Sequence, residues 1–218
     1  MTSSRDRAHG GFTMVELVVV LAVLGIIAGA AMPLVSASID QQRREDAAND
    51  LGSIARALED YYTDHAAFPG TLRDTGFLGV YLQPGVQNGT VVDAWGSGGD
   101  YVYSVSKSPD VATVHSVDSN RKDDGAANEE LKVEVFGAAP GHAKTRLRML
   151  VIVEALANHI EAGGALTGNW AKDRAALGLG SAYQNDGFGS SFRLEAGTLT
   201  LSSDGPDRKK STADDITF

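Results

Sequence analysis

From Leu17 to Val35 the chain runs nineteen residues with no charge and no side-chain hydrogen-bonding group. As a helix that run is about 28 Å long, enough to span or nearly span the hydrocarbon core of a bilayer. One carboxylate, Glu16, stands at its threshold. An acid there is costly unless it meets a cation, which makes Glu16 a functional candidate from the outset. Arg5 and Arg7 precede the run and leave that end cytoplasmic, so everything after about Ser38 faces the other side.

A secretory signal places its small-residue cleavage site after the apolar core. Here the small pair, Gly10-Gly11, comes before it, and no good A-x-A site follows Pro33. Cleavage after Gly11 leaves Phe12 as the new amino terminus, keeps the apolar helix and makes Glu16 the fifth residue. A neighbouring subunit's terminal amine can then serve as its counter-charge. Gly25 and Gly29 form a G-x-x-x-G pattern of the kind that permits close helix packing.

The string Gly11-Phe12-Thr13-Met14-Val15-Glu16 ahead of an apolar helix resembles the class III signal of type IV pilins and type II secretion pseudopilins. The resemblance implies that a prepilin peptidase cuts after Gly11 and methylates Phe12. It implies that Glu16 takes part in assembly through the adjacent subunit's amine, and that Pro33 sits where pilin helices carry a kink. It further implies a homo-oligomeric helical filament built by an inner-membrane assembly platform. The precursor is then held in the inner membrane before it joins a pilus or pseudopilus, in the periplasm or at the cell surface.

The formal charge of the 218-residue chain is −9, and loss of the leader, with one net positive charge, makes it −10. An acidic body argues against nucleic acid as a partner, because phosphate binding rests on basic patches. There is no cysteine, and the five histidines show no metal-ligand spacing. Without a thiol nucleophile, a G-x-S-x-G elbow or a P-loop, the expectation is that the chain is not an enzyme.

Ala47, Leu51, Ile54, Leu58 and Tyr61 recur at spacings of four, three, four and three, one apolar stripe at helical period. The pattern predicts one long helix from about Thr13 to Thr63, apolar all round in its first half and amphipathic in its second. Tyr101–Val105, Ala112–Val117 and Leu131–Phe136 read as strands. After Gly137-Ala138-Ala139-Pro140-Gly141, Met149, Ile152, Val153, Leu156 and Ile160 share one face of a second helix. Ser191–Leu194 and Thr198–Leu201 then read as a strand pair.

The order repeats. Asp93-Ala94-Trp95-Gly96 precedes the first strands, and Asp186-Gly187-Phe188-Gly189 precedes the second pair. An α+β fold follows: a long amino-terminal helix on a small antiparallel sheet, then a second helix-plus-antiparallel-sheet unit. Residues 1–11 form the leader, 12–38 the transmembrane or filament-core helix, 39–137 one pilin-like unit and 138–218 another.

Each unit also carries an acidic loop. Calcium takes six to eight oxygens, and such loops can supply them. Ser203-Asp204-Gly205 through Asp214-Asp215-Ile216 resembles the carboxy-terminal calcium loop of the major pseudopilin, and the resemblance puts Asp204, Asp214 and Asp215 as carboxylate ligands of Ca2+. Arg208, Lys209 and Lys210 intrude, and cations there could instead pair with the acids and close the loop without metal. The first loop offers Asp118, Asn120, Asp123, Asp124 and Glu129. Asp118 and Glu129 have one-to-twelve EF-hand spacing, but Lys122 and Asp123 stand where that motif wants a ligand and a glycine.

The expected function is a structural subunit of a type IV pilus-like filament. A secretion pseudopilin, or a minor tip pilin acting in adhesion or uptake, is the alternative.

Overall fold

The computed structural model describes residues 13–83, 91–95, 99–107, 109–127, 129 and 131–218, without the side chains of 30–34. The chain divides into two compact units, Met1–Arg43 and Arg44–Phe218. The first helix, α1, spans Met14–His65 and contributes to both.

In the first unit, α1 starts at Met14, one residue past Thr13, which the sequence pattern marked as the helix start. Every described side chain from Thr13 to Gly29 is exposed, including Leu21 at 60% and Ile26 at 73%. Among the described residues no helix is long and apolar enough to cross a membrane. The apolar stretch with described side chains, Leu17 to Gly29, would reach only about 20 Å. Pro33 lies in the helical segment whose side chains are outside the described residues.

In the second unit, the expected stripe of α1 is the core face. Ala47, Leu51, Ile54 and Leu58 are at most 2% exposed. Tyr61 is only partly buried, whereas Tyr62 is 1% exposed and takes the inner position. The stripe covers a three-stranded antiparallel sheet of β1 (Val102–Ser106), β2 (Val111–His115) and β3 (Lys132–Phe136), with β2 in the middle. Ala112 pairs with Val135 and Val114 with Val133. The period-two alternation therefore turns Ala112, Val114 and Val135 onto Leu51, Phe77, Leu82 and Trp95.

Only Gly137 separates β3 from α2 (Ala138–Glu161). The boundary at 137–141 is the cap and first turn of α2, and Pro140 is tolerated there because the first helical N–H groups have no partner to lose. Met149, Ile152 and Leu156 are buried as expected, but Ile160 is 40% exposed near the helix end. A short helix that the sequence pattern did not reveal, α3 (Trp170–Ala176), is capped by Asn169, whose side chain accepts the Lys172 N–H.

A second antiparallel sheet follows, β4 (Arg193–Glu195), β5 (Thr200–Ser203) and β6 (Ile216–Thr217), again with the second strand in the middle. Its core of Met149, Ile152, Leu156, Trp170, Phe192, Leu194 and Leu201 is distinct from that of the first sheet. Each part has a close glycine contact of its own. A Cβ on Gly137 would stand 2.4 Å from the Tyr62 ring, and one on Gly141 would stand 2.2 Å from the Phe188 ring.

Candidate functional site

Three places carry the chemistry expected from the sequence: the start of α1, and the two turns where Asp-x-aromatic-Gly meets an acidic loop.

At the start of α1, Thr13 and Glu16 form a reciprocal cap. The Thr13 N–H and hydroxyl both donate to Glu16 Oε2, each at 2.9 Å, and the Glu16 N–H donates to Thr13 Oγ1 at 3.3 Å. This is the Thr-x-x-Glu capping box, legible in Thr13-Met14-Val15-Glu16 but not singled out from the sequence. It gives the carboxylate a partner within its own chain. Gly11 and Phe12, the expected processing residues, lie outside the described residues.

The second feature is a pair of buried carboxylates. Asp93, 2% exposed, accepts the Trp95 N–H at 3.0 Å, the Val117 N–H at 2.8 Å and the Ser116 hydroxyl at 2.8 Å. Asp186, 1% exposed, accepts the Phe188 and Ser190 N–H groups at 2.9 and 2.8 Å and the Ser203 hydroxyl at 2.6 Å. Each serine then accepts the N–H two residues on, from Asp118 at 3.1 Å and from Gly205 at 3.2 Å. Both aspartates thus tie their turn to the end of a middle strand, where an acidic loop begins. Burial lifts the Asp186 carboxyl above the ordinary 3.8, against the pull of its three donors. Ser116 and Ser203 were not picked out from the sequence; a serine closing the middle strand of each unit was the available signal.

The acids of the first loop turn to nearby groups. Asp118 accepts the Ser119 N–H, Asp124 accepts an Asn120 amide N–H, and Glu129 accepts the Asp124 N–H. Asp123 sits 3.0 Å from His115 Nε2 and accepts the Gly125 N–H, and both hold its carboxyl below the usual range, His115 first.

In the second loop, Asp204 and Asp215 converge, but on an arginine. Arg193 Nε lies 2.7 Å from Asp204 Oδ1 in a charge contact, and Arg193 Nη2 donates to Asp215 Oδ2 at 2.9 Å. Asp214 turns instead to the Thr212 hydroxyl at 2.6 Å and the Asp207 N–H at 3.0 Å. Arg208 leaves the loop altogether. It donates to Asp110 at 2.5 Å and to the Phe188 carbonyl at 2.8 Å. Among the described residues, no group of three or more acidic or histidine side chains converges as a metal would need.

The prokaryotic N-terminal methylation motif matches residues 6–32. Over 135 residues the chain is 30% identical to type II secretion system core protein G of Pseudomonas aeruginosa, spanning 92% of that protein and 56% of this one. The chain belongs to the type IV pilin and type II secretion pseudopilin family. It is also 30% identical to fimbrial protein EcpC of Eikenella corrodens, over 68% of that protein and 49% of this chain. Core protein G of Klebsiella michiganensis is 28% identical over 74% of its length and 44% of this chain. No solved structure matches significantly.

Proposed function

We propose that this chain is a structural subunit of a type IV pilus-like filament, processed by a prepilin peptidase and assembled through the amino-terminal part of α1. The observation that carries this reading is the exposed apolar surface of Thr13–Gly29 within the stretch, residues 6–32, that the methylation motif matches. An apolar patch of that extent needs lipid or other apolar helices against it. The same surface serves both states, lipid contact in the precursor at the inner membrane and helix packing in the filament. Gly25 and Gly29 leave open space beside the helix, so a neighbour can approach closely there. In this reading the acidic bodies form the outer layer, and the assembly platform and peptidase are the transient partners.

A type II secretion pseudopilus is the second reading, favoured by the 92% span of the Pseudomonas core protein G. More than two fifths of this chain has no counterpart in that relative. We read the surplus as a second sheet-bearing unit, 138–218, that thickens the coat.

The test is intact mass and electron microscopy of filaments sheared from expressing cells, with Glu16→Ala and Glu16→Gln compared. The expected mass starts at N-methylated Phe12, and an unprocessed chain starting at Met1 sinks the reading. Both variants should be processed, and both should lose fibres at least tenfold. Glutamine keeps a capping-box acceptor, so wild-type fibre yield from Glu16→Gln with none from Glu16→Ala would reduce Glu16 to a helix cap.

A further inference from the structure

We infer that Arg193 takes the place of a divalent cation in the carboxy-terminal loop, so that this subunit closes the loop with a side chain of its own. The inference rests on the family reading above only for the expectation that such a loop holds calcium. The rest is geometry. Asp204 directly follows β5 and Asp215 directly precedes β6, so the two acids mark the mouth of the loop. Arg193 opens β4, in register with Ser202 of β5, and from there its guanidinium crosses to both carboxylates.

All three side chains are largely shielded, Arg193 at 33% exposed, Asp204 at 11% and Asp215 at 13%. A guanidinium is charged at every accessible pH and presents its donors in a planar fork suited to two carboxylates. A calcium ion needs six or more oxygens around one point. It would have to enter where a fixed positive charge already stands. Asp215 is engaged further, its Oδ2 accepting the Ser211 N–H at 3.0 Å and its Oδ1 the Thr212 N–H at 3.3 Å. The third expected ligand, Asp214, is turned to Thr212 and Asp207.

A cation that belongs to the chain cannot be lost to a chelator. The loop, and the β5–β6 pairing that it frames, should therefore hold its shape in calcium-poor surroundings.

Thermal unfolding of the full chain in detergent micelles, in excess EDTA and in millimolar calcium, tests this. The wild type should unfold at the same temperature in both. A calcium-dependent rise that Asp204→Asn abolishes would overturn the inference. A rise that Asp204→Asn leaves intact arises elsewhere in the chain and agrees with it. In EDTA, Arg193→Gln should lower Tm by about 2–6 °C, because Asp204 and Asp215 then face each other uncompensated, and calcium should recover part of that loss. Arg193→Lys keeps the charge and should stay close to wild type. An Arg193→Gln protein as stable as wild type in EDTA would also overturn the inference.

Discussion

Residues 93–136 and 186–217 build the same succession of parts: a buried aspartate, two antiparallel strands, a serine, an acidic loop and a third strand. They differ in how the loop is closed. Loop acids in the first part bind donors a few residues away, with His115 reaching in from β2. The second loop is gripped by Arg193 from β4 and anchored by Arg208 to Asp110, nearly a hundred residues earlier. Closure within a few residues leaves a loop independent of its surroundings. Closure by a distant arginine makes its shape depend on the rest of the fold. Two stretches with similar acid content can therefore have different cation chemistry.

The strongest way to break the comparison is to remove the shared element. Asp93→Ala and Asp186→Ala each strand three donors, two buried and one half-buried, and each buried group costs about 1–3 kcal/mol. Both should lower Tm by roughly 10 °C in thermal unfolding. A large loss from one and none from the other would show that the two turns are not equivalent. Asp186 adds a pH signature. Its folded pKa is raised above 3.8 by burial, so the ionised form weakens the fold, and that penalty grows as pH rises through the folded value. Below 3.8 the penalty is gone. Asp186→Asn should remove this slope from a plot of stability against pH.

A smaller effect sharpens the difference between the loops. The Tyr62 hydroxyl donates to Asp110 at 2.8 Å, and Arg208 pairs with the same carboxylate while remaining 34% exposed. A double-mutant cycle of Asp110→Ala and Arg208→Ala in urea should give a coupling of about 1 kcal/mol, limited by solvent screening. Zero coupling would leave the second loop as independent as the first. The smallest effect lies at Ala66, which ends α1 with φ of +54°. Ala66→Gly relieves a left-handed backbone and should stabilise by at most about 1 kcal/mol, read as a Tm rise of a few degrees.

Much of this was legible in the sequence. The four-and-three spacing of Ala47, Leu51, Ile54 and Leu58 marked the buried face of α1, because helical period and burial are one constraint. Alternation in Ala112–Val117 and Leu131–Phe136 located β2 and β3 to within a residue or two. The echo of Asp93 in Asp186 was visible too. Its partners were not, since a serine closing a strand looks like any other serine until a carboxylate is folded against it. Helix α3 is too short to show a period, and β6 is two residues long. Arg193 was hidden for another reason. It lies eleven residues before Asp204 and twenty-two before Asp215, and only the β4–β5 pairing brings it to them.

The sequence by itself determined the membrane-length apolar run, the cleavage and methylation signal, the register of the long helix and the α+β order. All of these are local patterns of polarity, read within a few turns or strands. Tertiary structure decided which charges meet. It put Arg193 between Asp204 and Asp215, and Arg208 on Asp110, because a charge pair is fixed by where chain folding carries its two ends, and composition cannot encode that distance.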